Sequence, residues 1–187
     1  MFQKENYKMI VTDLDGTLLD KDGKISPYTI DILKKVKEQS YYLTIATGRS
    51  LYSVQNAIPD VSFFDYLLLN NGVYCYSPKK EQGTYFGFIK QEEIEDLIAS
   101  FDQDSSEIDF CSAYNYYIYK ATPKRKLDFI KGIKNISEIK EKITKINFFP
   151  KDQTELLNLY QEFKTKYQNL DIMVMQESNT KEQWLVL

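Results

Sequence analysis

Short apolar runs alternate with helical patterns along the first 72 residues, and this alternation restricts the fold more than any other feature. The runs "KMIVTDL", "YYLTIAT" and "DYLLLN" end at Asp-Gly, at Gly48 and at Asn-Asn-Gly, which is typical of buried strands. Between them, Ser26-Pro27 and Ser50 are typical helix starts. Strand, helix, strand, helix and strand with short connections predict a parallel, three-layer α/β sheet.

The pattern changes after Gly72, where a separate α+β unit is predicted. "VYCYS" and "TYFGFI" favour an antiparallel pair. A helix is predicted to follow, with apolar residues at i, i+3, i+4 and i+7, namely Ile94, Leu97, Ile98 and Phe101. We predict a first domain over residues 1–82 and a second over 83–187. Further predicted elements of the second domain are two strands in "EIDFCSAYNYYIYK" with a turn at Asn115, a strand in "KITKINFF", a helix opened by a capping box of Asp152 and Glu155, and strands in "LDIMVMQ" and "QWLVL".

Composition excludes several classes of partner. A net charge of −3 provides no basic surface for nucleic acid, and no apolar stretch is long enough to span a membrane. The start "MFQKENYK" has no apolar leader segment. Two cysteines, Cys75 and Cys111, form no disulfide framework, which predicts a reducing, cytoplasmic location.

The absence of histidine from the chain excludes the commonest general base and the Ser-His and Cys-His nucleophiles. A cysteine phosphatase loop is disfavoured, because Glu81 and Tyr117 stand six residues after the two cysteines, where such a loop has its arginine. Neither a nucleotide P-loop nor a G-x-S-x-G hydrolase turn is present. Carboxylates, hydroxyls, lysine, arginine and metal remain available for catalysis.

Asp13 and Asp15, within "YKMIVTDLDGTLLDKDG", are the first candidate site residues. In extended backbone, residues i and i+2 point the same way, so both carboxylates project beyond the end of the first strand. Two carboxylates held together repel each other, so they need a metal ion, a lysine or a shared proton. Oxygen ligands without histidine or cysteine suit Mg²⁺. A plain turn remains an alternative, since Asp and Gly favour turns. A calcium loop is disfavoured, because Leu18 stands where its glycine belongs.

Thr47, Gly48 and Arg49 follow the second strand, at the same sheet edge. The Thr47 hydroxyl and backbone N–H and the helix start at Ser50 could bind a phosphoryl oxygen. Arg49 could pair with a substrate phosphate or with a surface carboxylate. Asn71 ends the third strand at this edge, where a turn with positive φ is an equally good interpretation.

Together, "DLDGTLL" at 13–19, "IATGR" at 45–49 and "NNGVY" at 70–74 resemble the haloacid dehalogenase (HAD) superfamily. More narrowly, they are similar to its Cof-type branch of phosphohydrolases, in which a large type II cap follows the third strand of a Rossmann-like core. The resemblance covers essentially the whole chain. It implies a partial Rossmann-like core with an inserted α+β cap domain.

The resemblance also implies residue roles. Asp13 would be the nucleophile that forms an aspartyl-phosphate, and Asp15 the general acid and then the base for water. Mg²⁺ would bind the Asp13 carboxylate and the backbone carbonyl of Asp15. Thr47, with Gly48 and Arg49, would bind the phosphoryl group, and Asn71 would lie near the substrate. The expected reaction is hydrolysis of small phosphorylated metabolites.

One departure from the family is expected to limit activity. Family members continue past the cap into two core strands that bring a lysine, usually in Lys-Gly, and a Gly-Asp-x-x-x-Asp motif. The late lysines Lys166 and Lys181 do not follow a core strand, and the chain ends in the apolar "WLVL". We therefore interpret the sequence as C-terminally truncated and expect a weak or inactive phosphatase whose first strand has an open flank, suited to self-association.

Two other functions stay open at this point. A non-catalytic, truncated HAD-like protein could act as a phosphate-ligand binding or regulatory module. A phosphotransferase or mutase using the same aspartyl-phosphate is disfavoured, because such relatives usually carry a different cap.

The predicted second domain is rich in tyrosine, with Tyr114, Tyr116, Tyr117 and Tyr119 in six residues. Aromatic side chains can grip sugars and rings. We interpret these four as strand residues that favour a half-buried sheet surface, and assign none to substrate.

Overall fold

The computed structural model describes residues 8–100, 107–119, 130–176 and 182–187. The chain divides into two compact units, the first ending at Gly87 and the second beginning at Phe88. The division predicted between residues 82 and 83 lies within the strand Gln82–Tyr85, which belongs to the sheet of the first unit. The hairpin after Gly72 therefore extends the first sheet.

In the described part of the first unit, one five-stranded sheet carries two α-helices, and its strands lie side by side in chain order. The first three strands are parallel, as the alternation predicted, and the last two are antiparallel. The elements are β1 (Met9–Thr12), α1 (Pro27–Glu38), β2 (Tyr42–Ala46), α2 (Leu51–Ala57), β3 (Tyr66–Leu69), β4 (Tyr74–Ser77) and β5 (Gln82–Tyr85).

Both helices of this unit begin where the sequence indicated. The Ser26 hydroxyl accepts a hydrogen bond from the Thr29 N–H at 3.1 Å, and Pro27 is the first helical residue of α1. At the start of α2, the Ser50 hydroxyl accepts from the Ser53 N–H at 3.5 Å. These caps satisfy backbone donors that the first helical turn leaves open.

The first strand, β1, has one flank without a neighbour among the described strands. Among the described strands it pairs with β2 alone, and Met9, Ile10 and Val11 are 45%, 38% and 52% exposed. Successive strand residues point to opposite faces, so β1 is exposed on both faces as well as along one edge. In contrast, Leu43 and Ile45 of the neighbouring β2 are buried.

The described elements of the second unit are α3 (Gln91–Ala99), β6 (Glu107–Ser112), β7 (Tyr116–Tyr119), β8 (Ile130–Ile133), β9 (Ile143–Phe149), α4 (Gln153–Lys166), β10 (Met173–Gln176) and β11 (Gln183–Val186). The six described strands form one sheet of spatial order β10-β11-β9-β6-β7-β8, in which β7 and β8 are parallel and every other neighbouring pair is antiparallel. The core joins helix residues such as Leu97 and Phe163 to strand residues such as Phe110 and Phe148.

Three details of the second unit differ from the sequence prediction or extend it. The strand β8, "IKGI", was not predicted. One of the two hydrogen bonds of the predicted α4 capping box forms, from the Glu155 N–H to the Asp152 carboxylate. The Glu155 carboxylate accepts from the Lys151 N–H instead of the Asp152 N–H. Phe101, the fourth apolar position predicted for α3, lies outside the described residues.

The tyrosine-rich segment forms a strand over most of its length. Tyr116, Tyr117 and Tyr119 lie in β7, whereas Tyr114 lies in the preceding turn and is 41% exposed. The Tyr117 hydroxyl donates to the Glu141 carboxylate at 3.1 Å. Burial first, and then Glu141, raise the pKa of Tyr117 to about 12. Strand packing thus accounts for three of these four residues.

Candidate active site

The segment after β1 turns sharply and leaves two carboxylates on the surface. Asp13 continues the extended backbone, the Leu14 side chain is fully buried, and Asp13 and Asp15 are exposed on either side of it. Gly16 then adopts φ 75°, a left-handed conformation that glycine reaches without strain. A hydrogen bond from the Leu19 N–H to the Leu14 carbonyl, 3.0 Å long, closes this wide turn.

The strand register brings three chain segments to one edge of the sheet. Thr12 of β1 lies opposite Ile45 of β2, and Ala46 lies opposite Leu68 of β3. The residues that follow these positions therefore emerge at the carboxyl end of the parallel strands, where α/β sheets commonly bind ligands. This edge carries the predicted residues Asp13, Asp15, Thr47, Gly48, Arg49 and Asn71.

Arg49 forms the dominant polar contact at this edge. Its Nη2 and Nε donate to the two carboxylate oxygens of Asp15 at 2.6 and 2.9 Å, and its Nη1 donates to the Ser53 carbonyl at 3.5 Å. Of the two partners that the sequence left open for Arg49, the structure shows a carboxylate. Sequence reasoning did not identify Asp15 as that carboxylate.

Thr47 is buried and held by backbone contacts. Its N–H donates to the Leu68 carbonyl at 2.9 Å, and its carbonyl accepts from the Asn71 N–H at 3.2 Å. The Thr47 N–H, which the sequence suggested as a donor to phosphate, is therefore already used. The Thr47 hydroxyl accepts from the Arg49 N–H at 3.3 Å and keeps its own hydrogen available to donate.

Gly48 and Asn71 approach each other closely. A Cβ atom on Gly48 would lie 2.6 Å from the Asn71 Oδ1, so only glycine fits without displacing this amide. Asn70, Asn71 and Gly72 have φ values of 49°, 60° and 92°, which agrees with the positive-φ turn considered for this position. Asn71 is exposed and Asn70 is buried. The turn therefore directs Asn71, rather than Asn70, toward the surface beside Gly48.

Few oxygen atoms that could act as metal ligands lie at this edge in the described residues. Within residues 8–100, 107–119, 130–176 and 182–187, no three acidic or cysteine side chains cluster closely enough to hold a metal ion. Arg49 occupies both carboxylate oxygens of Asp15, whereas no described residue donates to the Asp13 carboxylate. The Asp13 carboxylate and the Asp15 carbonyl are oxygen ligands of the type that Mg²⁺ uses alongside water and substrate phosphate.

A family model for haloacid dehalogenase-like hydrolases matches residues 10–182 of this chain. The chain belongs to this family. Among curated relatives of this HAD-like chain, an HMP-PP phosphatase from Serratia proteamaculans is 33% identical over 76 residues, which cover 41% of this chain and 28% of that protein. A Buchnera aphidicola relative is 29% identical over 166 residues, 82% of this chain and 60% of that protein. The HAD-like chain thus spans less than two thirds of the length of either relative.

Solved structures show the same fold. A haloacid dehalogenase-like hydrolase from Bacteroides thetaiotaomicron superposes with a TM-score of 0.75 at 20% identity, covering 97% of this HAD-like chain and 71% of that one. A HAD subclass IIB sugar phosphatase superposes with a TM-score of 0.69 at 20% identity, covering 96% and 69%. The mixed α/β architecture predicted from the sequence is confirmed by these neighbours.

Two further observations bear on the predicted environment. In the described residues, no helix is both long and apolar enough to cross a bilayer. Both cysteines are free thiols, and burial raises the pKa of Cys111 to about 11 and also raises that of Cys75. A high thiol pKa disfavours the thiolate, so cysteine chemistry is not supported at either position.

Proposed function

We propose that this chain carries the nucleophile and the phosphate-binding edge of a Mg²⁺-dependent phosphatase of small phosphorylated metabolites. The observation that supports the proposal is the pair of exposed carboxylates, Asp13 and Asp15, at the same carboxyl edge of the parallel strands as Thr47. Family membership and relatives named as phosphatases support the same chemistry. A cytoplasmic location, consistent with two free thiols, is part of this proposal.

The Asp13 carboxylate attacks phosphorus, and the bond from phosphorus to the leaving oxygen breaks as an aspartyl-phosphate forms. The leaving oxygen takes a proton from Asp15, which must therefore be protonated in this step. In the second step Asp15 removes a proton from water, whose oxygen attacks phosphorus and releases phosphate and Asp13. Because Arg49 donates to both carboxylate oxygens of Asp15, the observed arrangement suits the second step, in which Asp15 accepts a proton.

The remaining residues hold the phosphoryl group. The Thr47 hydroxyl donates to a phosphoryl oxygen, and the missing side chain of Gly48 leaves room for the Asn71 amide next to it. Asn71, on the surface beside Gly48, faces the remainder of the substrate. Mg²⁺, held by the Asp13 carboxylate and the Asp15 carbonyl, would neutralise phosphate charge. Phosphoryl transfer depends mainly on such positioning and charge stabilisation.

We expect the 187-residue chain, assayed by itself, to hydrolyse p-nitrophenyl phosphate slowly. Its only Lys-Gly pair, Lys131-Gly132, lies in β8 of the second unit, and no Gly-Asp-x-x-x-Asp motif is present. Each missing preorganised charge typically costs about 10² to 10³ in rate. A Mg²⁺-dependent rate equal to that of a full-length relative would contradict this expectation. A rate that EDTA does not reduce would contradict the proposed Mg²⁺ dependence.

A non-catalytic phosphate-binding module is the second candidate. It is favoured by the small number of oxygen ligands and by the pairing of Asp15 with Arg49. Two assays distinguish these functions. A binding module binds inorganic phosphate in calorimetry but releases no phosphate from phosphate esters, even at high protein concentration. Turnover that depends on Asp13 favours the phosphatase.

Self-association through β1 is the proposed oligomeric contact. The residues Met9–Thr12 contain no charge or proline that would protect an exposed edge, and antiparallel pairing of two β1 strands would satisfy their open backbone groups. Light scattering is expected to show dimers whose population rises with concentration. Val11→Lys should return the chain to monomer, because it places a charge on the exposed strand. Monomeric wild type at high concentration would refute the contact.

A further inference from the structure

The guanidinium of Arg49 is largely engaged within the protein. An arginine has five N–H donors in a planar fork. Three donors of Arg49 are used, two by the Asp15 carboxylate and one by the Ser53 carbonyl. The bidentate contact with Asp15 uses the geometry by which arginine would otherwise bind a phosphate.

The backbone of Arg49 is fixed from both sides. Its N–H donates to the Thr47 hydroxyl at 3.3 Å, and its carbonyl accepts from the Asn70 N–H at 3.0 Å. The segments after β2 and β3 therefore fix the main-chain position from which the Arg49 side chain extends. Asp15, in contrast, has a side chain that is 57% exposed, and Arg49 is its only ion-pair partner among the described residues.

We propose that Arg49 is a positioning residue that fixes the Asp15 carboxylate beside Asp13, and that it is not the ligand of the transferring phosphoryl group. This inference rests on the proposed function, in which Asp15 is the acid and base. Its basis is the two-point contact between a rigidly anchored guanidinium and an otherwise solvent-exposed carboxylate. Removing Arg49 would leave Asp15 with several side-chain rotamers and an uncompensated charge.

A double-mutant cycle tests this role with inorganic phosphate as the probe. The proteins are wild type, Arg49→Ala, Asp15→Asn and the double variant, titrated calorimetrically with phosphate in the presence of Mg²⁺. If Arg49 acts through Asp15, Arg49→Ala weakens phosphate binding roughly tenfold when Asp15 is present, because the unpaired Asp15 carboxylate repels phosphate. In the Asp15→Asn background, the same substitution weakens binding by less than about threefold. A loss of about tenfold or more in both backgrounds would show direct phosphate binding and overturn the proposal.

Two variants control for charge alone. Lys35→Ala removes a cation from the exposed surface of α1 and should leave the phosphate affinity unchanged. Arg49→Lys keeps the charge but cannot reproduce the two-point contact. We expect it to recover phosphate affinity without restoring the order of the 14–19 turn. Equal recovery of both properties would mean that charge alone suffices, against the proposal.

Hydrogen exchange of the turn 14–19 provides a readout that requires neither turnover nor phosphate. Arg49→Ala and Asp15→Asn should each accelerate amide exchange there by roughly threefold or more, and the double variant should add little. Unchanged exchange in Arg49→Ala would refute positioning. The effects of Arg49→Ala and Asp15→Asn on exchange could be coupled while wild type neither binds phosphate nor hydrolyses esters. In that case the positioning role stands and the proposed function fails.

Discussion

Replacing Asp13 with asparagine is expected to reduce Mg²⁺-dependent hydrolysis of p-nitrophenyl phosphate by about 10³-fold or more, to background. The amide retains the size of the side chain but cannot act as the nucleophile. The fold should be unaffected, because Asp13 is exposed and no described residue donates to its carboxylate. Such surface changes usually alter the free energy of unfolding by less than about 0.5 kcal/mol.

Because the wild-type rate is expected to be low, the test needs a covalent readout as well. After acid quenching, wild type incubated with a radiolabelled phosphate ester should retain labelled phosphate, and Asp13→Asn should retain none. Asp31→Asn, at another exposed aspartate, on α1, is the matched control and should behave as wild type. If Asp13→Asn kept the wild-type rate or label, the assignment of the nucleophile would be wrong.

The sequence predicted the parallel part of the first unit well, because its signals are local. Each of β1, β2 and β3 is a short apolar run closed by turn residues, and Ser26 and Ser50 mark the helices between them. The strand β8 was missed, since "IKGI" contains a lysine and a glycine and forms by parallel pairing with β7. A pairing of that kind depends on tertiary contacts that a local pattern does not contain.

The candidate site shows the same limit. The sequence placed Asp13, Asp15, Thr47 and Asn71 at one sheet edge, because parallel strands end together. It could not select Asp15 as the partner of Arg49, since 34 residues separate them and every surface carboxylate was a candidate. The contact of Gly48 with Asn71 depends on consecutive left-handed residues, which asparagine permits but does not require.

Phe163→Ala is expected to lower the free energy of unfolding of the second unit by about 3–5 kcal/mol. Phe163 is fully buried on α4, where its ring meets those of Phe148 and Tyr167 edge to face, with centroids 5.2 and 5.7 Å apart. Truncation removes apolar contact and leaves a cavity that the sheet cannot fill without shifting. Denaturant unfolding followed by tryptophan fluorescence should report the loss, because the only tryptophan, Trp184, lies in β11 of this unit.

Two controls separate a cavity from a general effect of altering α4. Phe163→Leu retains much of the volume and should cost less than Phe163→Ala, whereas Leu157→Ala, at a position 51% exposed, should change the free energy of unfolding by less than about 0.5 kcal/mol. If Phe163→Ala cost no more than Leu157→Ala, Phe163 could not be central to the packing of α4. A free energy of unfolding that rises from Phe163→Ala through Phe163→Leu to wild type would instead show that the contact between α4 and its sheet stabilises the second unit.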